Sequence, residues 1–334
     1  MWFFKFYSSL GHAAYICDRM QVHNHIDHLP PIENAVITIG TFDGVHKGHQ
    51  QIIRQLKEEA KKIQGETVII TFHPHPRSIV PGREPVSILT TPNEKIALLE
   101  NMGIDHLVII PFNLEFSQQS ATAFIEHFLV EKFHPHTVII GYDHRFGKGR
   151  EGDYHLMEKL GKKFGFLVKE IPEQVLNDIT VSSTRIRKAL NEGEIETANN
   201  YLGHTYSFEG EVVDGKKIGR TIGYPTANIK VYELEKLIPA NGVYAVEVRC
   251  NSESNLHKGM MSIGTRPTIG GTPRTIEVHL FDFTKNIYHS TIRVFVKYFL
   301  RKEVKFAGLE EMKLQLYRDQ LQACSFLQKD LSNT

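Results

Sequence analysis

The stretch Ala35-Val36-Ile37-Thr38-Ile39 runs without a break into Gly40-Thr41-Phe42-Asp43-Gly44-Val45-His46-Lys47-Gly48-His49, and then into Ile52, Ile53, Leu56, Ala60 and Ile63 at helical spacing. A β-branched run that ends in glycine and meets a 3.6-period apolar stripe predicts a buried strand, a tight turn and an amphipathic helix. Such a turn suits an anion, because glycines let the backbone approach closely and the first amides of a helix have no internal partner. His46 and His49, three residues apart, project from one side of the first turn as two imidazole donors for phosphate oxygens.

Outward from this turn the same rhythm continues. Short apolar runs at 67–72, 107–110, 138–140 and 166–171 alternate with helical patterns, one of them carried by Ala123, Phe124, His127, Phe128 and Val130. Strand and helix in alternation predict a Rossmann-like, doubly wound α/β sheet. After about residue 190 the segments become closely spaced and strand-like, at 206–213, 243–249, 259–263, 276–281 and 292–299, which predicts an antiparallel barrel or sandwich. Leu309, Met312, Leu316, Leu321 and Leu327 suggest a closing helix. The fold class is therefore α/β plus β: a disordered leader over 1–30, an α/β domain over 31–188, a polar linker over 189–204 and a β domain over 205–330. The fold is expected to start near Ala35 and the functional protein at Met20, and no metal is read from the histidines of the leader.

Composition narrows the function. The 39 basic and 38 acidic side chains leave a net charge of +1, which provides no field for nucleic acid or an anionic membrane. No stretch reads as a signal or membrane span, and the three cysteines are far apart, so a reducing, cytoplasmic setting is expected. Small-molecule chemistry remains, and the sequence names no protein partner.

A second phosphate-binding signature appears at Val181-Ser182-Ser183-Thr184-Arg185-Ile186-Arg187, where hydroxyls and guanidinium groups stand at a helix start. His-x-Gly-His followed by this motif resembles the adenylyl-transferring nucleotidyltransferase superfamily. Thr71-Phe72-His73-Pro74-His75-Pro76-Arg77 and Gly141-Tyr142-Asp143-His144-Arg145-Phe146-Gly147 follow the second and fourth strands. With them the set resembles the FMN adenylyltransferase module of bacterial bifunctional riboflavin kinase/FAD synthetases. That resemblance implies catalytic His46 and His49, an ATP site over Gly40, Phe42, Gly44, Asp143, Ser183, Thr184, Arg185 and Arg187, and a flavin site over Phe72, His73 and Pro74. His144 stands where the family more often has an aromatic residue. Gly147-Lys148-Gly149-Arg150-Glu151-Gly152 also fits G-x-G-x-x-G, the mark of a dinucleotide dehydrogenase, but six residues separate it from Ile140 and the fingerprint needs its first glycine at the strand end.

In the β domain, Gly215-Lys216-Lys217-Ile218-Gly219-Arg220-Thr221-Ile222-Gly223-Tyr224-Pro225-Thr226-Ala227-Asn228 joins a glycine-rich loop to two neutral oxygen donors two residues apart, on one side of an extended chain. Magnesium keeps water and phosphate as most of its ligands, so Thr226 and Asn228 beside ATP suffice as the protein's share. Ile276-Glu277-Val278-His279-Leu280-Phe281 alternates as a strand, with a carboxylate able to take a hydroxyl proton. The first segment resembles the P-T-A-N motif of riboflavin kinases, which implies ATP at Gly219, Thr226 and Asn228, Glu277 as the base for the ribityl hydroxyl, and flavin beneath Arg301. The resemblance covers residues 33 to 325. It implies riboflavin, FMN, FAD and ATP as ligands, Mg2+ with ATP, and no tightly bound organic cofactor. An adenylyltransferase for another acceptor, an aminoacyl-tRNA synthetase and a flavin-sensing binding protein are the rivals; the second lacks a K-M-S-K-like loop.

Overall fold

Apolar runs free of charge have to be covered on both faces. In the computed structural model, which describes residues 20–27, 29–171, 181–215, 218–250, 255–265 and 274–329, they are. Strands β1 (Gln21–His23), β2 (Val36–Ile39), β3 (Thr67–His73), β4 (His106–Pro111), β5 (Thr137–Gly141) and β6 (Leu167–Ile171) form one sheet in the order β1-β4-β3-β2-β5-β6, parallel at every pairing. The chain leaves β2 toward β3 and β4, then crosses to β5 on the other side. The β2/β5 boundary is therefore the switch point, where a ligand crevice opens at the carboxyl ends. Helix α1 (Lys47–Ile63) follows β2, α2 (Pro92–Asn101) precedes β4, a helical segment over 121–133 with a π-helical middle at Phe124–Val130 precedes β5, and α3 (Tyr154–Phe164) precedes β6.

β1 lies inside the segment expected to be a leader. It pairs with β4, Met20 is 7 % exposed in the sheet's core, and the His23 ring stacks on His106 at 5.3 Å. Three residues, two of them polar, make too short a run to show a period, so the sheet begins well before Ala35. Residues 1–19 and His28 lie outside the described residues.

The span 189–204 is not a polar linker either. Helices α4 (Ser183–Glu192) and α5 (Ile195–Leu202) bury Ala189, Leu190, Ile195, Ala198 and Leu202 in the same apolar cluster as barrel residues such as Tyr206, Phe208 and Val246. At roughly 1.5–3 kcal/mol for each buried leucine or isoleucine, this face outweighs the polar surface that suggested a linker.

The β domain is a barrel rather than a sandwich. Strands β7 (Ser207–Val213), β8 (Ala227–Lys230), β9 (Gly242–Cys250), β10 (Leu256–Thr265), β11 (Arg274–Leu280) and β12 (Thr291–Arg301) close in the order β10-β11-β8-β7-β12-β9, all antiparallel. Helix α6 (Leu309–Lys329) caps one side, with Ala323 and Leu327 buried against Ala245, Met260 and Phe281.

A buried ion pair joins the domains. Lys236, between β8 and β9, donates 2.6 Å hydrogen bonds to Glu94 of α2 and to the Leu89 carbonyl, with side-chain exposures of 1 % for Lys236 and 4 % for Glu94. Removing one member of such a pair leaves a buried charge without compensation. Lys236→Ala should therefore lower unfolding stability by about 3–5 kcal/mol, whereas Lys236→Met combined with Glu94→Gln should cost clearly less, by denaturant titration. Equal losses for the two proteins would show that the pair carries no such role.

Candidate active sites

The turn after β2 is built around Asp43. Its carboxylate is 2 % exposed and accepts hydrogen bonds from the Leu89 amide (2.8 Å), the Thr90 amide (3.1 Å) and an Arg187 guanidinium nitrogen (2.5 Å). Gly44 then turns back with φ +82, its amide donating to the Thr90 hydroxyl, and a side chain there would strike Leu89 at 2.8 Å. Only glycine meets both demands. The turn hands the chain to His46, the N-cap of α1, whose Nδ1 accepts from the His49 amide at 3.4 Å.

The two imidazoles stack face to face, with centroids 3.7 Å apart and planes at 16°. Two imidazolium ions at that distance would repel by about 4 kcal/mol even at an effective dielectric of about 20, so the unliganded pair does not carry two charges. Burial pushes the His46 pKa down to about 4, with Asp43 pulling against it, and pushes His49 well below its ordinary value, aided by His46 and Lys95. Because Nδ1 of His46 accepts, a neutral His46 carries its proton on Nε2. The Nδ1 of His49 is buried without a partner. The pair can thus donate N–H groups to an incoming polyanion, whose own charge would favour protonation.

Helix α4 brings the second motif to the same turn. Ser182 caps the helix by accepting from the Arg185 amide, and Ser183 donates to the Asp43 carbonyl at 3.1 Å. Thr184 and Arg185 are exposed at the helix start. Arg187 differs from the expectation of an ATP ligand: its guanidinium is engaged by Asp43 and by the Ser87 carbonyl at 2.7 Å, so it holds the turn. Gly40 lies at the end of β2 and Phe42 packs its buried ring 4.8 Å from His49.

Phe72 ends β3 half-buried, 5.5 Å from Phe112 and 5.9 Å from Phe116, and these three rings form an aromatic wall beside His73 and Pro74. Phe112 and Phe116 were invisible as site residues in the sequence, since they follow a different strand. Asp143 is exposed after the carboxyl end of β5, on the switch-point crevice. His144 is half-buried against Phe146, its enclosed Nε2 has no partner, and desolvation pushes its pKa down to about 4. The glycines of the competing G-x-G-x-x-G lie in a turn closed by a Phe146–Gly152 bridge, with α3 capped by Asp153 only after it. They do not lead from a strand into a helix.

The second site is a cavity of about 350 Å³ between the barrel and α6, lined by Gly219, Thr226, Glu277, His279, Arg301 and Phe306 among others. Register puts Glu277 of β11 opposite Asn228 of β8, and the Thr226 hydroxyl donates to the Glu277 carboxylate at 3.1 Å. Asn228 does not line the cavity; its carboxamide packs against Gly215, where a side chain would meet it at 2.1 Å. Lys216 and Lys217 of the glycine-rich loop lie outside the described residues. Arg301 makes a forked ion pair with Asp319 of α6 (2.9 and 2.7 Å). It thereby holds the helix over the cavity that it also lines. Thr226, just before β8, and Asn228, on it, are neutral oxygen donors beside a carboxylate, a donor set suited to a hard cation brought in by phosphates. Among the described residues no cluster of three or more histidine, cysteine or acidic side chains forms a metal cage.

Known proteins match this arrangement. The family described as FAD synthetase matches residues 30–185 and the riboflavin kinase family matches 202–327. Curated proteins called bifunctional riboflavin kinase/FMN adenylyltransferase are 37% identical over 288 residues in Haemophilus influenzae (86% of this chain, 92% of that one) and 38% identical over 296 residues in Escherichia coli (89% and 94%). A solved structure from Streptococcus pneumoniae titled macrolide-efflux protein superposes with a TM-score of 0.79 at 28% identity, over 90% of this chain and 97% of that one. In this chain no helix among the described residues is long and apolar enough to cross a membrane.

The buried imidazoles predict an acid-sensitive fold. A histidine whose folded pKa is depressed contributes stability that is present above its unfolded value of about 6.5 and is lost as pH falls toward its folded value. Denaturant midpoints should therefore drop between about pH 6.5 and about pH 4, where His46 and His144 finally charge. His144→Phe, which keeps the ring stack without the titration, should flatten that drop; an unchanged pH dependence would exclude His144 as a contributor.

Proposed function

The chain belongs to the family of bifunctional riboflavin kinase/FMN adenylyltransferases, and we propose that its two activities are divided between the two sites described above. It phosphorylates riboflavin to FMN and adenylylates FMN to FAD, with ATP in both steps.

The observation that carries the division is the Thr226–Glu277 contact inside a flavin-sized cavity. Glu277 takes the proton of the ribityl 5′-hydroxyl as its oxygen attacks the γ-phosphorus, the bond to ADP breaks, and the carboxylate is left protonated. Thr226, with Asn228 beside the cavity, would hold Mg2+, which would neutralise charge on the ATP phosphates. Gly219 packs so close to the Tyr224 carbonyl, 2.1 Å from where a side chain would begin, that the loop can bring its backbone up to ATP. Arg301 positions α6 over the flavin.

At the other site a phosphate oxygen of FMN attacks the α-phosphorus of ATP and pyrophosphate leaves. His46 and His49 donate to the phosphates whose charge grows in that step, with Gly40, Phe42 and Gly44 forming the close backbone and Ser183, Thr184 and Arg185 the opposite side. Asp143 faces the nucleotide, and Phe72, His73 and Pro74 border the flavin. The reading assigns the enzyme to the cytoplasm, a reducing setting that suits the thiols of Cys250 and Cys324.

His49→Ala should cut FMN-to-FAD turnover by about a hundredfold or more while riboflavin phosphorylation continues, so FMN accumulates on chromatography. Glu277→Gln should do the reverse, reducing phosphorylation by roughly a hundred- to ten-thousandfold and leaving FAD formation from supplied FMN intact. Wild-type phosphorylation by a folded Glu277→Gln protein would remove Glu277 as the base, and joint loss of both activities would overturn the division.

A further inference from the structure

Lys95 is a buried cation that neither reaction has used so far. It lies in the first turns of α2, is 8 % exposed, and reaches beneath the turn after β2. Its Nζ donates to the Thr41 carbonyl at 2.7 Å and to the Thr71 hydroxyl at 3.1 Å, and Thr71 donates to that same carbonyl at 3.0 Å. The Thr41 oxygen therefore has both lone pairs occupied.

A trans peptide is a rigid plane in which the C=O and the next N–H point in opposite directions. Fixing the Thr41 oxygen toward Lys95 fixes the Phe42 N–H away from it. That amide donates no hydrogen bond among the described residues, and Phe42 itself is held at φ +46, a region that a bulky side chain avoids. A strained residue with an unused, oriented donor, one step before Asp43 and in ring contact with His49, is the kind of feature that persists at ligand sites.

We propose that Lys95 is a positioning residue for adenylyl transfer: it clamps the Thr41–Phe42 peptide so that the Phe42 N–H, and not the Thr41 carbonyl, faces an ATP phosphate oxygen. The proposal rests on the assignment of this turn to ATP. Without the clamp the peptide plane is free to rotate and to present an oxygen dipole to a polyanion.

The charged and titratable groups around Lys95 are Asp43 and, through it, Arg187, with His49 on α1 and His75 after β3. Burial brings the Lys95 pKa down to about 8, against the pull of Asp43, while His75 sits at about 4 and His49 well below its ordinary value. The clamp is strongest in the ammonium form, whose charge strengthens both donations and lets a third N–H remain, so it weakens above about pH 8.

The test uses the full chain with FMN and MgATP for one activity and riboflavin and MgATP for the other. Wild-type kcat/KM for FAD formation should show an alkaline limb near pH 8 that riboflavin phosphorylation lacks. Lys95→Met should lower FAD formation by about a hundredfold, chiefly in kcat, abolish the limb, and leave phosphorylation unchanged. Thr71→Val, which retains the cation, should cost only severalfold and keep the limb. A folded Lys95→Met protein with wild-type FAD kinetics overturns the proposal. If that variant is insoluble, a wild-type profile without the limb, or a Thr71→Val profile that loses it, overturns it as well. His49→Ala, assayed in parallel, separates the premises: if it too leaves FAD formation untouched, the assignment of the turn fails rather than the role of Lys95.

Discussion

The enclosed carboxylate of Asp43 is the contact on which the rest of the proposed adenylyl-transfer site depends. One oxygen ties two backbone amides of the 87–90 loop, the other ties Arg187 of α4, and the residue's own carbonyl receives Ser183. Three separate stretches of chain, the turn itself, the 87–90 loop and α4, thus meet at one residue. A carboxylate removed from water is costly unless its oxygens are satisfied, and charge-assisted hydrogen bonds of this kind are about twice as strong as neutral ones. The arrangement is therefore stiff, and the two motifs far apart in sequence are held in one geometry before any ligand arrives.

The stiffness extends across the domain boundary. His204 reaches the Gly44 carbonyl at 3.0 Å, Gln50 of α1 bonds the Leu202 carbonyl at 2.7 Å, and Lys236 closes on Leu89 and Glu94. The turn proposed to bind ATP is thus braced partly by the other domain. The cavity proposed for phosphorylation is lined by different residues, from β9, β10, β11, β12 and α6 and from the loops before β8 and α6. Mechanical continuity and chemical independence coexist because the brace and the second cavity use different residues of the barrel.

Much of this was legible in the sequence where signal is local. β2 with its turn, the alternation of strands and helices, and the Pro-Thr-Ala-Asn and Glu277 strands carry their reading in a few consecutive residues. What escaped notice depends on distant partners. The roles of Arg187 and Arg301 follow from Asp43, 144 residues away, and from Asp319, 18 away, and a guanidinium in a motif looks the same whether it faces a ligand or a carboxylate. β1 is too short to show a period. The 189–204 stretch looked polar because its apolar residues recur at helical spacing among charges, and only the barrel beneath shows that they are core. Lys95 and Glu94, adjacent in sequence, serve different domains, which no linear pattern reveals.

The two sites differ in charge in the way their nucleophiles require. An alcohol must lose a proton as it attacks phosphorus, and the barrel places a carboxylate, Glu277, in the cavity with a hydroxyl donor holding it. A phosphate monoester is already anionic near neutral pH, so adenylyl transfer needs no base, and a bare carboxylate among three phosphates would only repel them. The turn after β2 presents neutral imidazoles and backbone amides, and the acid within it, Asp43, is sealed at 2 % exposure behind Arg187. Sealing that charge gives the turn its shape without turning its field against the substrate. On the proposed reading the same type of side chain is a reactant in one domain and a strut in the other, and the difference lies in what surrounds each carboxylate.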